Sequence, residues 1–319
     1  MNTMMHTADI SIIGGGVIGL ACAVALAEAG ARVRVLDARP TPKGASAATT
    51  GLLIPPTRRS VNRLTALCRD SAALYADWCK HLAQTTGIDP GYVASGALRL
   101  YPRDDTRTGQ GAPAYLNPTL IGAVQTYEAA HVQTSSLLRA LDARLQALGG
   151  QRITAAVTGL QTRRGTVRGI ELDTGARIRV SHVLVCAGVG VTRLLQPLGT
   201  HIPVTPESGQ IVQLGEVPQL PETILLDGDR ALVAKADGRL HVAGPGSPEE
   251  IQERVAAVLG GGKVISVWQG VRPRVAGGMP VLGLIPGYTN LSVAVGHGKN
   301  GFLLAPLTAR IIAESCLTA

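Results

Sequence analysis

The chain has 319 residues, of which 45% are hydrophobic, 16% charged and 3% aromatic, with 39 glycines and 19 prolines. That length suits about two domains with a large core, and the composition excludes a disordered chain, a coiled coil and a small disulfide scaffold. The net charge of +8 sits on scattered arginines, which reads as a solvated basic surface, and the few aromatics argue against a platform for single-stranded nucleic acid.

The first 37 residues read as strand, glycine turn, helix, strand. Ile10 to Ile13 is a β-branched run of buried-strand type, Val17 to Ala29 an Ala/Leu-rich helix stopped by Gly30, and Val33 to Leu36 a second strand ending at Asp37. The unit opens the chain, so no upstream domain is expected. The apolar stretch from Ile10 to Ala29 approaches membrane-span length. However, Gly14, Gly15, Gly16 and Gly19 interrupt it, Asp9 and Glu28 flank it, and no basic region precedes it. Neither a signal peptide nor a transmembrane helix is expected.

Residues 44–56, GASAATTGLLIPP, form a loop of small residues, followed by an amphipathic helix from Val61 to Leu82. Residues 102–118 read as a surface loop. Thr134 or Ser135 can cap a helix bearing Leu137, Leu138, Leu141, Leu145 and Leu148, closed by Gly149 and Gly150. From Ile153 to Ala187 short strands alternate with glycine turns. The region 204–271 mixes strands with one helix, whose Ser247, Pro248 and Glu250 spell a capping box with proline at the first position. A strand from Leu291 to Val295, the loop GHGKNG and a helix from Phe302 close the chain. Cys22, Cys68, Cys79, Cys186 and Cys316 are widely spaced, without a CxxC pair or zinc-ligand spacing, as expected of free thiols in a reducing cytoplasm.

The strongest chemical signal is Gly14-x-Gly16-x-x-Gly19 between a strand and a helix. The first glycine allows the tight turn, the second lets backbone approach a pyrophosphate, and the third lets helix and strand pack closely. The helix start, with Val17 and Ile18, offers unpaired N–H groups and partial positive charge to that anion. Asp37, 18 residues beyond Gly19, stands where an acid accepts hydrogen bonds from ribose hydroxyls. Dinucleotide binding follows, but the motif alone does not separate FAD from NAD.

Taken with the C-terminal GVRP (270–273) and GHGKNG (296–301), the sequence resembles the FAD-dependent glycine oxidase and D-amino-acid oxidase family. Further points of resemblance are the GGGVIG start, the ASAATTGLL loop, the helix entered through HVQTSSLL, CAG at 186–188 and ESGQ at 207–210. The resemblance implies an α/β fold: a Rossmann-like FAD-binding domain (1–86, 120–203 and 272–319) and a smaller antiparallel-sheet substrate domain (87–119 and 204–271). It implies non-covalent FAD, because the segment where relatives carry a flavin-linking cysteine, 270–280, has none. Asp37 takes the adenosine ribose. Ala45, Ser46, Thr49, Thr50, Gly51 and Leu52 pass beside the flavin ring, which their small side chains leave room for. Val157 holds the adenine through its backbone, Ala187 and Gly188 lie near the diphosphate, and Gly298, Lys299, Asn300, Gly301 and Phe302 bring a helix N-terminus to the flavin pyrimidine. Lys299 stands where the family usually has arginine. Arg272 matches the arginine that grips the substrate carboxylate, with a planar fork of donors suited to it; Arg274 is a nearby competitor. His297 is read as a structural neighbour of the flavin, with a general base as the alternative.

The implied activity is oxidation of a small amine or amino acid to the imine by hydride transfer to flavin, with O2 as acceptor and hydrogen peroxide as product. The partners are then a small molecule and O2, with no nucleic acid or membrane span, and a homo-oligomer is compatible. Two departures bear on the substrate: Ala231 falls where the family carries a carboxylate-binding tyrosine, and Ala234 and Lys235 replace a proline–arginine pair. The chain is also shorter than typical members. Alternatives are a same-fold dehydrogenase serving a quinone or partner protein, a non-catalytic flavin-binding subunit, and a plain NAD enzyme.

Overall fold

The computed structural model describes residues 9–40, 44–56, 62–105 and 109–317. In chain order the elements begin with β1 (Ile10–Ile13), α1 (Val17–Glu28), β2 (Val33–Asp37), β3 (Leu52–Leu53) and α2 (Arg63–Thr86). Val61, the expected start of α2, lies outside the described residues; the helix is opened by Asn62, whose side chain accepts from Thr65 N in a capping box. Next come β4 (Ala97–Pro102), β5 (Ile121–Tyr127), β6 (Ala130–His131) and α3 (Thr134–Ala147). Thr134 belongs to the first turn of α3, and the cap is the extended Gln133, which makes no side-chain capping bond.

Short strands follow as expected: β7 (Gln151–Thr154), β8 (Val157–Arg163), β9 (Thr166–Leu172), β10 (Arg177–Arg179) and β11 (His182–Val185), then α4 (Val191–Leu195). Beyond them lie β12 (Val204–Gly215), β13 (Ile224–Asp227), β14 (Arg230–Ala234), β15 (Leu240–Ala243), α5 (Pro248–Leu259) and β16 (Lys263–Val275). The Ser247–Glu250 capping box is present at α5. The chain ends with β17 (Val281–Leu284), β18 (Leu291–Val295) and α6 (Gly301–Leu317).

A six-stranded sheet has the order β17-β18-β11-β1-β2-β7, parallel except for β17. Its four central strands, β18, β11, β1 and β2, are buried on both faces. Ile10, Ile12, Val33, Val35 and Leu184 pack against α1, α2, α3 and α6, while Ile13, Leu36, Val183 and Val185 pack against the small β8–β10 sheet and α4. Such runs of apolar residues suit a parallel sheet covered on both sides.

The second large sheet has the order β16-β12-β15-β14-β13-β4-β5. It is antiparallel apart from the parallel β4–β13 pair, a departure from the fully antiparallel expectation. Strand β5, expected with the nucleotide-binding segments, pairs with β4 here, and β16 runs to Val275, past the expected division at 272. One face of this sheet packs on α5 through Val212, Leu225, Leu232 and Val242; the other faces β3 and the cavities described below.

Helix α6 carries Pro306 in its interior. Proline has no N–H to give the carbonyl four residues back, which belongs to Phe302. The buried Tyr75 hydroxyl of α2 donates to that carbonyl instead, and Ser71 Oγ accepts from Leu307 N at 3.4 Å. Burial holds the Tyr75 phenol protonated, its pKa pushed well up. Two α2 side chains thus support the first turns of α6.

Candidate active site

The glycine turn connects the carboxyl end of β1 to α1. Gly14 adopts φ +113°, and a Cβ there would meet Cys186 O at 2.4 Å, so only glycine fits. Gly19 packs so closely on the turn that a Cβ would lie 1.8 Å from Gly14 O. Asp37 Oδ2 accepts from Gly15 N at 2.7 Å and Oδ1 from Arg39 N at 3.0 Å, which fixes the carboxylate at the turn. Ser46 Oγ accepts from Val17 N at 3.0 Å, bringing the small-residue loop onto the start of α1.

These residues border a cavity of about 540 Å³. Gly14, Gly16, Val17, Ile18 and Asp37 line it from the first βαβ unit, Ala45, Ser46 and Thr49 from the loop, and Ala187 and Gly188 from the end of β11. Gly298, Lys299, Gly301 and Phe302 come from the start of α6. A second cavity of about 720 Å³ is lined by Thr50, Leu52, Asn300 and the face of the seven-stranded sheet, including Ala231. Thr49, Gln269, Arg272 and Lys299 border both cavities. Of the sequence-predicted residues, Gly19, Gly51 and Val157 border neither. Gly19 and Gly51 are held by close backbone approach, a Cβ at Gly51 falling 2.3 Å from Val132 O. Val157 pairs with Leu172 in the small sheet.

Arg272 lies across β12, where a Cβ on Gly209 would come 2.8 Å from its guanidinium carbon. Its Nη1 pairs with Glu207 Oε1 at 3.5 Å, while Arg274 Nη1 pairs with Glu207 Oε2 at 3.7 Å. Arg274 borders neither cavity, so the geometry favours Arg272 over its competitor. His297 lines the smaller cavity, but its Nε2 meets Thr308 Oγ1 at 3.0 Å and burial lowers its pKa to about 3. Its ring is neutral over the ordinary pH range and engaged with α6.

Sequence reasoning passed over Gln269 and Lys235 as contributors and read Gly270 only as part of GVRP. Gln269 and Gly270 reach the smaller cavity because β16 runs against the 44–48 loop; a Cβ on Gly270 would touch Ala48 Cβ at 2.6 Å. Lys235, noted only as a departure, is buried and donates to Thr50 O at 2.6 Å and Val132 O at 3.3 Å. It ties the seven-stranded sheet to the loop beside the cavities, and desolvation lowers its pKa to about 8.

The residues present fit FAD. A glycine cradle that no side chain could share, the start of α1 and an anchored acid stand at one end of the smaller cavity, and the start of α6 at the other. A cavity built on a glycine cradle, sharing an arginine with a second chamber of mixed polar and apolar lining, suits a dinucleotide-dependent oxidoreductase. The family model for FAD dependent oxidoreductases, DAO, matches residues 9–315, and the chain belongs to that family. It is 32% identical to the bifunctional protein ThiO/ThiG of Nostoc sp. over 97% of this chain and 52% of that protein. It is 30% identical to a glycine oxidase of Pseudomonas aeruginosa, covering 96% of this chain and 93% of that one. The chain thus spans about half the length of the bifunctional relatives. The crystal structure of glycine oxidase from Geobacillus kaustophilus superposes with a TM-score of 0.87 at 26% identity, over 98% of this chain and 95% of that one. Among the described residues no helix is long and apolar enough to cross a membrane.

Proposed function

We propose that the protein oxidises an amino acid larger than glycine to its imine, with FAD held non-covalently in the smaller cavity and substrate in the larger. The carrying observation is that Arg272 borders both cavities, so a carboxylate on its fork is held at the boundary between cofactor and substrate space. FAD, held by the glycine turn, Asp37 and the starts of α1 and α6, would supply the two-electron acceptor for the Cα–H, with O2 as the terminal oxidant and hydrogen peroxide as the product. The chain's own part is binding and orientation. Asp37 accepts from the ribose, and the starts of α1 and α6 direct N–H groups at the diphosphate and the pyrimidine edge. Glu207 releases Arg272 to the incoming carboxylate. The imine leaves the site and hydrolyses to the keto acid and ammonia.

The six-stranded sheet with its helices forms the FAD-binding part, and the seven-stranded sheet the substrate part. Five free cysteines suit a reducing cytoplasm. Ala231 leaves open the space a tyrosine would fill, which supports substrates larger than glycine. The test is a peroxide assay of the FAD-loaded protein across glycine, sarcosine, D-amino acids and simple amines, repeated with Arg272→Ala. Peroxide from a larger amino acid, with an apparent substrate constant raised by orders of magnitude in the variant, is expected. Equal activity of wild type and variant on a carboxylate substrate would remove Arg272 from the site, and flavin reduction without peroxide would point to a dehydrogenase.

A further inference from the structure

The floor of the larger cavity is one lateral row of the seven-stranded sheet. Arg99 on β4 opposes Leu226 on β13, which opposes Ala231 on β14, which opposes Ala243 on β15, which opposes Ile211 on β12. Residues opposed in register project to one face, and all five border the cavity. The two alanine methyls form the low centre of a trough between Leu226 and Ile211. Arg99 stands at one end. At the other, the Arg272 guanidinium rests on Gly209, two residues along β12 from Ile211.

Among the described residues the charged lining is unbalanced: Arg99, Arg272 and Lys299 face one acid, Asp229. Asp229 is exposed on the β13–β14 turn, where water screens it. Arg272 has Glu207, but Arg99 has no carboxylate within 4 Å among the described residues. Its contacts are Gly228 O at 3.4 Å and the Tyr127 ring, 5.6 Å from the guanidinium carbon. One long hydrogen bond and a ring leave most of a guanidinium's five donors unused.

We propose that Arg99 is a second anion site and that the substrate class is an amino diacid, its α-carboxylate on Arg272 and its side-chain carboxylate on Arg99. This rests on the reading above that Arg272 holds the α-carboxylate. With its amine neutral, as hydride loss requires, such a substrate carries two negative charges, suited to a described lining that is mainly cationic. The apolar trough takes the methylenes. Across a flattened sheet Arg99 and Gly209 are roughly 20 Å apart, four strand spacings over and two residues along. A ligand that engages both guanidinium groups must lie along this trough, and diacids of glutarate and adipate length probe its span.

The experiment titrates FAD-loaded protein with non-oxidisable probes, glutarate against pentanoate and adipate against hexanoate, reading the shift of the flavin visible band. The better diacid is expected to bind about tenfold or more tightly than its monoacid, as a charge-assisted hydrogen bond implies. Arg99→Met should abolish that advantage and leave monoacid affinity within about twofold, which also reports an intact fold. Arg99→Lys should restore part of it, and Arg272→Met should weaken both probe classes. Equal affinity for monoacid and diacid in the wild type, or equal losses for both in Arg99→Met, would overturn the second site while Arg272 stands. A spectrum that no carboxylate moves would remove the Arg272 reading and this inference with it.

Discussion

Pro306 leaves the Phe302 carbonyl to the Tyr75 hydroxyl, and Tyr75→Phe isolates that one bond. The ring and its packing stay, so no cavity opens, and the loss is a buried carbonyl without its donor, about 1–3 kcal/mol. For a chain of this size that corresponds to roughly 2–6 °C in melting temperature. Phe302 also borders the cofactor cavity, so looser first turns of α6 should weaken FAD as well. Thermal unfolding of apo and FAD-loaded protein, with an FAD dissociation constant from fluorescence quenching, reads both effects. The decisive arm is the double variant. Pro306→Ala restores an N–H that can reach Phe302 O along the helix, so Tyr75→Phe should cost far less in that background, a coupling between residues far apart in sequence. An equal cost with proline and with alanine at 306 would show that the hydroxyl is not replacing the missing donor, and the account of α6 would be wrong.

Three further outcomes are expected. Asp37→Ala should weaken FAD retention, since the ribose loses a charged acceptor at about 1.5–3 kcal/mol; wild-type flavin should leave the protein intact on denaturation, and flavin that stays with the precipitate would contradict the non-covalent reading. Ala231→Tyr should fill the trough and shift preference, measured as kcat/KM, towards the smallest substrates; an unchanged ranking would remove Ala231 from the floor of the site. Stability should fall as pH drops below 6.5, because burial lowers the pKa of His131 and His241 to about 4 and that of His297 to about 3. The folded state then binds fewer protons than the unfolded chain across that window, so each ring's contribution is present above pH 6.5 and is lost as the pH falls towards its folded pKa. Denaturant midpoints measured from pH 7 to 4 check the direction, and His241→Gln should flatten part of the slope.

The nucleotide half was legible because its determinants are local. Three glycines, a β-branched strand and an acid at a fixed spacing specify a turn whose geometry needs no distant partner, and Gly14 and Gly19 meet the contacts that make glycine obligatory. The substrate half was less so. Its floor takes one residue from each of five strands, and only the register of the folded sheet aligns Arg99 with Ala231 and Ala243. Strand β5 falls within the stretch 120–203 that reads as nucleotide-binding, yet its hydrogen bonds go to β4. Lys235 looked like a lost arginine, whereas its value lies in two backbone carbonyls brought to it from residues 50 and 132. Tyr75 and Phe302 are 227 positions apart, beyond the reach of any periodicity.

The sharing of Thr49, Gln269, Arg272 and Lys299 between the two cavities divides the protein's freedom to change. With cofactor in the smaller cavity and substrate in the larger, as proposed, a substitution at any of these four alters both surroundings together, so the effects cannot be tuned separately. The row from Arg99 to Ile211 touches the substrate chamber alone. On the proposed assignment, new specificities are therefore most accessible by drift along that row, where side chains can grow or shrink without touching the cofactor's cavity.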